Sequence, residues 1–185
     1  IAGSVAFKGE NEGDISGAAL SDTSVTAEVA AVGIDGGEGR DTIINEGDIA
    51  SLSAKSDVTG VAASLSTTAG VSFKDDAKVN ATGKAVSKAD VRADSLAVGI
   101  AAGEGNDTII NTGDIVGLEA GSSATGVAAG LNFTSVLAIN GNAQADIEGG
   151  AIGDSSVTAR ATALGLDGGL GDDQIDNEGD IRLLS

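Results

Sequence analysis

Residues 98–115 read Val98-Gly99-Ile100-Ala101-Ala102-Gly103-Glu104-Gly105-Asn106-Asp107-Thr108-Ile109-Ile110-Asn111-Thr112-Gly113-Asp114-Ile115. Sixty-six residues earlier the stretch returns as Val32-Gly33-Ile34, Asp41-Thr42-Ile43-Ile44-Asn45 and Gly47-Asp48-Ile49. Sixty-six residues later it returns as Leu164-Gly165-Leu166, Asp173-Gln174-Ile175-Asp176-Asn177 and Gly179-Asp180-Ile181. Thr59-Gly60-Val61-Ala62-Ala63 also recurs unchanged from Thr125 to Ala129. No gap is needed anywhere in the 185 residues, which hold about 2.8 repeats. A register kept this strictly means that every repeat follows the same path, as in architectures whose repeats stack on one another.

The path is extended. Ala89, Val91, Ala93 and Ala97 alternate with Asp90, Arg92, Asp94 and Leu96, the period of two of a half-buried strand. The equivalent stretches 23–31 and 157–162 alternate in the same way, and the spacing of three to four that a helix needs is missing. Phe is the only aromatic, at Phe7, Phe73 and Phe133, while Trp, Tyr, Met, Cys, Pro and His are absent. A chain without large aromatics needs a core only one or two side chains thick. These features predict an all-β fold, a right-handed parallel β-solenoid (β-helix).

Within each repeat the related asparagines Asn45, Asn80 and Asn111 lie 35 and then 31 residues apart. That spacing predicts two unequal coils per 66-residue repeat, each with three strands and a protruding loop, least regular around 62–78. Equivalent corners would then lie roughly 10 Å apart. Residues 1–185 form one solenoid segment on this reading. The chain starts at Ile1 without Met, and neither end looks like a polar cap. It is therefore expected to be part of a longer chain that continues covalently or stacks end to end with another copy.

The net charge is −18, with 28 acidic residues against 10 basic. Such a surface disfavours nucleic acid and anionic membranes and attracts cations. No apolar run approaches the roughly 20 residues of a membrane-spanning helix. The lack of Cys excludes a disulfide framework and a thiolate metal site. The lack of His, Cys and Tyr removes the commonest general bases and nucleophiles, so no enzyme is expected.

One motif carries chemistry. Gly36-Gly37-Glu38-Gly39-Arg40-Asp41-Thr42-Ile43-Ile44 resembles the Gly-Gly-x-Gly-x-Asp-x-(apolar)-x nonapeptide of the repeats-in-toxin, or hemolysin-type, β-rolls. Residues 168–176 match it fully, and the copy at 102–110 departs from it at Ala102. The resemblance implies Ca²⁺ held by Asp41, Asp107 and Asp173 with the backbone of Gly37, Gly39, Gly103, Gly105, Gly169 and Gly171. With two coils per repeat, the intervening coil would have to add ligands, Asp76 foremost. Against this stands a metal-free corner, since Gly and Asp suit tight turns by themselves. Asn45, Asn111 and Asn177 leave a similar choice between an amide ladder along the axis and the start of a turn.

The chain as a whole is similar to the repeat regions of giant bacterial surface and secreted proteins. This implies an extracellular or cell-surface structural role, as the shaft of an adhesin or the subunit of a filament. The alternative is a calcium-binding module of a secreted enzyme or toxin.

Overall fold

A computed structural model describes residues 2–6, 12–73, 78–139 and 144–184. The described chain is strand and turn. Its elements are β1 (Ala2–Ala6), β2 (Glu12–Asp35), β3 (Thr42–Asn45), β4 (Ile49–Ala50), β5 (Ser53–Phe73) and β6 (Lys78–Ala101). They continue as β7 (Thr108–Asn111), β8 (Ile115–Ile139), β9 (Gln144–Asp167), β10 (Gln174–Asn177) and β11 (Ile181–Leu184). Three sheets result: β1-β5-β8-β11 with β4 also on β8, β10-β7-β3, and β2-β6-β9. The pairs β1/β5, β3/β7, β4/β8, β10/β7 and β11/β8 are all parallel.

The register corrects the expectation of two coils per repeat. Ala2 pairs with Thr68, Thr42 with Thr108, Ile49 with Ile115 and Gln174 with Thr108, each 66 residues apart. Two coils would have paired residues 31 or 35 apart. Asn45 and Asn80 share a turn vocabulary without being neighbours: Asn45 donates to Asn111, and Asn80 donates to Asp14 at 2.8 Å. The irregular loop expected around 62–78 is corrected for 62–73, which lies inside β5, while 74–77 lie outside the described residues. A slip in register lies at Arg182/Leu183, beside Gly117, whose φ is 73°.

Contacts divide the chain into two compact units. The first comprises Ile1–Val25, Thr59–Val91 and Thr125–Val157. The second comprises Thr26–Val58, Arg92–Ala124 and Thr158–Ser185.

In the first unit the interior is thin, as the composition demands. Buried residues alternate along β5 (Gly60, Ala62, Ser64, Ser66, Thr68, Gly70) and along β6 (Val79, Ala81, Gly83, Ala85, Ser87, Ala89, Val91). Ser87 Oγ lies 2.8 Å from Ser64 Oγ and donates to Ala129 O at 2.6 Å, so these two hydroxyls are partnered within the core, whereas Thr68 Oγ1 is buried without a partner. Bulk is complementary across it. A Cβ added to Gly60 would lie 2.5 Å from Val91 Cγ2, and one on Gly70 would lie 2.7 Å from Val79 Cγ1. Gly60→Ala should therefore destabilise the protein by about 1–3 kcal/mol as an overpacking change. Combining it with Val91→Ala should recover much of that loss in a urea melt.

The second unit holds the larger apolar cluster: Ile43, Ala54, Ala97, Ile100, Ala102, Ile109, Ile115 and Leu118. Here the Val-Gly-Ile motif finds its reason. A Cβ on Gly99 would lie 2.5 Å from Gly165 O and 2.8 Å from Ile115 Cγ2. The same clash recurs between Gly165 and Ile181 Cγ2 at 2.5 Å. The glycine makes room for the isoleucine that enters the next strand.

Candidate functional site

The glycine-rich corner lies in the second unit, between the long strand that ends at 35, 101 or 167 and the short strands β3, β7 and β10. Its three copies stack directly. Glu38, Glu104 and Leu170 form successive parallel bridges. Gly39 N donates to Glu104 O at 2.7 Å, and Glu104 N donates to Gly37 O at 2.9 Å. One repeat on, Gly105 N donates to Leu170 O at 2.8 Å, and Leu170 N donates to Gly103 O at 3.0 Å. Gly37, Gly39, Gly103, Gly105, Gly169 and Gly171 all have φ between 84° and 149°, which favours glycine. Asp35 Oδ1 and Asp167 Oδ1 each accept from the N–H two residues on, at 3.2 and 3.0 Å.

The carboxylates that the motif singled out come together in a row. Asp41 N donates to Asp107 Oδ1 at 2.7 Å, and Asp107 N donates to Asp173 Oδ1 at 2.9 Å. A second row runs the other way: Asp114 N donates to Asp48 Oδ1 at 3.0 Å, and Asp180 N to Asp114 Oδ1 at 2.9 Å. Asp107, Asp173, Asp48 and Asp114 thus each cap the backbone of an equivalent in the adjacent repeat. Asp107 is 2% exposed, and its Oδ2, like that of Asp41, is buried without a hydrogen-bond partner.

Calcium takes six to eight oxygens at about 2.3–2.6 Å. The turn carbonyls of Gly37, Gly103, Glu104 and Leu170 already accept hydrogen bonds, as do the Oδ1 atoms of Asp107 and Asp173. Asp41 Oδ2 and Asp107 Oδ2 are buried and unpartnered, and among the described residues no group of three or more metal-ligating side chains converges. Asp76 lies outside the described residues.

The asparagine row satisfies both readings at once. Asn45 Nδ2 donates to Gly47 O at 2.7 Å, closing its own turn, and to Asn111 Oδ1 at 2.6 Å, one repeat away. Asn111 repeats this with Gly113 O at 2.8 Å and Asn177 Oδ1 at 2.7 Å, and Asn177 bonds Gly179 O at 2.8 Å. An amide has two N–H groups, and here one serves the turn and the other the stack.

Set against known protein families, curated proteins and solved structures, the chain matches none. A shallow groove of about 420 Å³ on the second unit is lined by Glu28, Asp94, Arg92 and Arg160, two acids and two bases that balance. Nothing in that balance selects a ligand.

Proposed function

We propose that the chain is a length of extracellular right-handed β-solenoid, one coil per 66 residues, serving as the shaft of an adhesin or the subunit of a cell-surface filament. The observation that carries the reading is the 66-residue register, because each repeat adds one parallel strand to the stack and one rung to the Asp and Asn rows. These rows hold the corner together by its own hydrogen bonds, a mechanical task that needs no substrate. β3 and β10 are the two edges of their sheet. A further repeat, in the same chain or a second copy, would continue the rows end to end. Such a chain is no enzyme on this reading, and it binds neither nucleic acid nor the interior of a membrane.

The rival reading, a calcium-binding module of a secreted enzyme or toxin, draws on Asp41 Oδ2 and Asp107 Oδ2. The two readings separate in one experiment. With a self-sufficient corner, EDTA leaves the melting temperature unchanged, and concentrated samples show rods by electron microscopy. A calcium site filled at about a hundred times its dissociation constant would instead raise the melting temperature by roughly 5–10 °C, and chelation would remove that gain. Such a loss, with monomers at every concentration, would replace the shaft by the module.

A further inference from the structure

The two sheets of the first unit turn very different faces outward. On β6 and β9 the outward residues include Lys84, Lys88, Asp90, Asp146, Glu148 and Asp154. Lys88 pairs with Asp90 at 2.8 Å, and this hydrogen bond, ahead of the charges of Asp90 and Asp22, raises the Lys88 pKa. On β5 and β8 the outward residues carry no charge between 59 and 73 or between 125 and 139. In a chain of net charge −18 these are long neutral stretches.

The neutral face is also apolar and exposed. Val61, Leu65, Val127, Leu131, Phe133 and Leu137 are each between 47% and 61% exposed. β5 and β8 are hydrogen-bonded neighbours. With the 66-residue offset that joins β1 to β5 and β4 to β8, Val61 stands beside Val127, Leu65 beside Leu131 and Val71 beside Leu137. Rows of small residues, Ala63 with Ala129 and Ala69 with Ser135, lie between them. The face is therefore ridged, with hollows one row wide. Phe133, the bulkiest of these side chains, replaces the Thr67 of the preceding repeat, so the apolar character grows from one strand to the next.

We propose that this face pairs laterally with the same face of a second copy, forming a two-fold, sheet-on-sheet interface. Three observations point to that occupant. Two strongly acidic chains approach with least repulsion where both are uncharged. An isologous contact needs a surface that complements itself, and ridges of Val, Leu and Phe beside hollows of Ala meet that need. The area also suffices: fifteen residues of two strands cover about 50 by 10 Å, so a pair buries about 1,000 Å², the lower bound for a specific interface. The inference goes beyond the shaft reading, since it assigns the side of the chain and not its ends.

The full chain is tested by sedimentation equilibrium over a wide concentration range. The native protein should show a dimer. Leu131→Lys should weaken it at least about tenfold, because a charge would be buried unpaired in the interface. Phe133→Thr, which restores the residue of the preceding repeat and so fits the fold, should weaken it by a smaller but measurable factor. Lys84→Glu, on the opposite sheet, should leave it unchanged. Circular dichroism confirms that each variant keeps its strands. A native monomer at all concentrations overturns the proposal. Association unaffected by Leu131→Lys also overturns it, while leaving end-to-end stacking in place, because that involves strand edges. Binding of the native chain to neutral phosphatidylcholine vesicles that displaces the dimer, and is lost in Leu131→Lys, would overturn it in favour of a lipid surface.

Discussion

Gly103→Ala should cost the protein at least about 3–4 kcal/mol, whereas the same substitution at the equivalent Gly37 should cost roughly 1 kcal/mol. The two glycines share a motif position and nearly the same backbone, with φ of 101° and 89°. An L-residue is comparably strained at both, so this cost cancels in the comparison. What differs is the neighbour. A Cβ on Gly103 would overlap the carbonyl oxygen of Gly37, and it would approach Gly37 N to 3.1 Å. A Cβ on Gly37 has nothing within 4 Å. To admit the methyl group at 103, the two turns must separate and loosen the Glu104 N to Gly37 O bond and its neighbours, each worth about 0.5–1.5 kcal/mol. Urea melts of the two variants measure the difference. Equal costs would mean that the corners do not touch, as two coils per repeat would have required.

That comparison bears on what could be read from the residues alone. The alternation of Ala89, Val91, Ala93 and Ala97 with Asp90, Arg92 and Asp94 places the inward face of β6 correctly, and all four are buried. Charge marks the outward side there. The stretch 59–73 offers no such mark, because Gly60, Ala62, Ser64 and Ser66 inside are as neutral as Val61, Ala63 and Leu65 outside. Its strand could not be followed, and its exposed apolar face could not be told from core. The number of coils is hidden for a related reason. An Asn with a Gly two or three residues on suggests a turn, yet Asn80 and Gly83 lie inside strand β6, so the shared vocabulary marks no second coil. Only the hydrogen-bonded partner fixes the repeat, and that partner is 66 residues away.

The corner was legible in its residues but not in its bonding. The Gly-x-Gly-x-Asp spacing places positive φ at the glycines, and the aspartates do form a row. Which acceptor a carboxylate takes depends on the distance between corners. At one coil per repeat an Asp reaches the N–H of its own equivalent, and the turn carbonyls reach their neighbours' N–H groups. The motif therefore folds as a hydrogen-bonded stack of corners. The Val-Gly-Ile motif was visible as a repeat, yet its purpose required knowing that Gly99 faces Ile115.

Replacing Asn111 should be among the most damaging single changes in the chain, and the replacement by Asp should be no milder than that by Ala. Asn111 is 0% exposed and sits between two copies of itself. Its Oδ1 accepts from Asn45 Nδ2, and its Nδ2 donates to Asn177 Oδ1 and to Gly113 O. Asn111→Ala strands Asn45 Nδ2 and Gly113 O in a buried place, and Asn177 Oδ1 at an exposed one, a loss of about 2–6 kcal/mol at about 1–3 kcal/mol for each buried group. For a chain of this size that lowers the melting temperature by roughly 10 °C. Asn177→Ala removes one accepted and one donated bond at an exposed position, so its cost should be about 1 kcal/mol. Asp separates the two roles of the asparagine. As a turn residue Asp serves nearly as well as Asn. In the ladder it cannot, because a carboxylate oxygen would face the oxygens of Asn177 and Gly113 where an N–H now donates. An Asn111→Asp protein that melts like the native one would reduce the row to three independent turns. A loss equal to or greater than that of Asn111→Ala would establish the amide rung as the bond between coils.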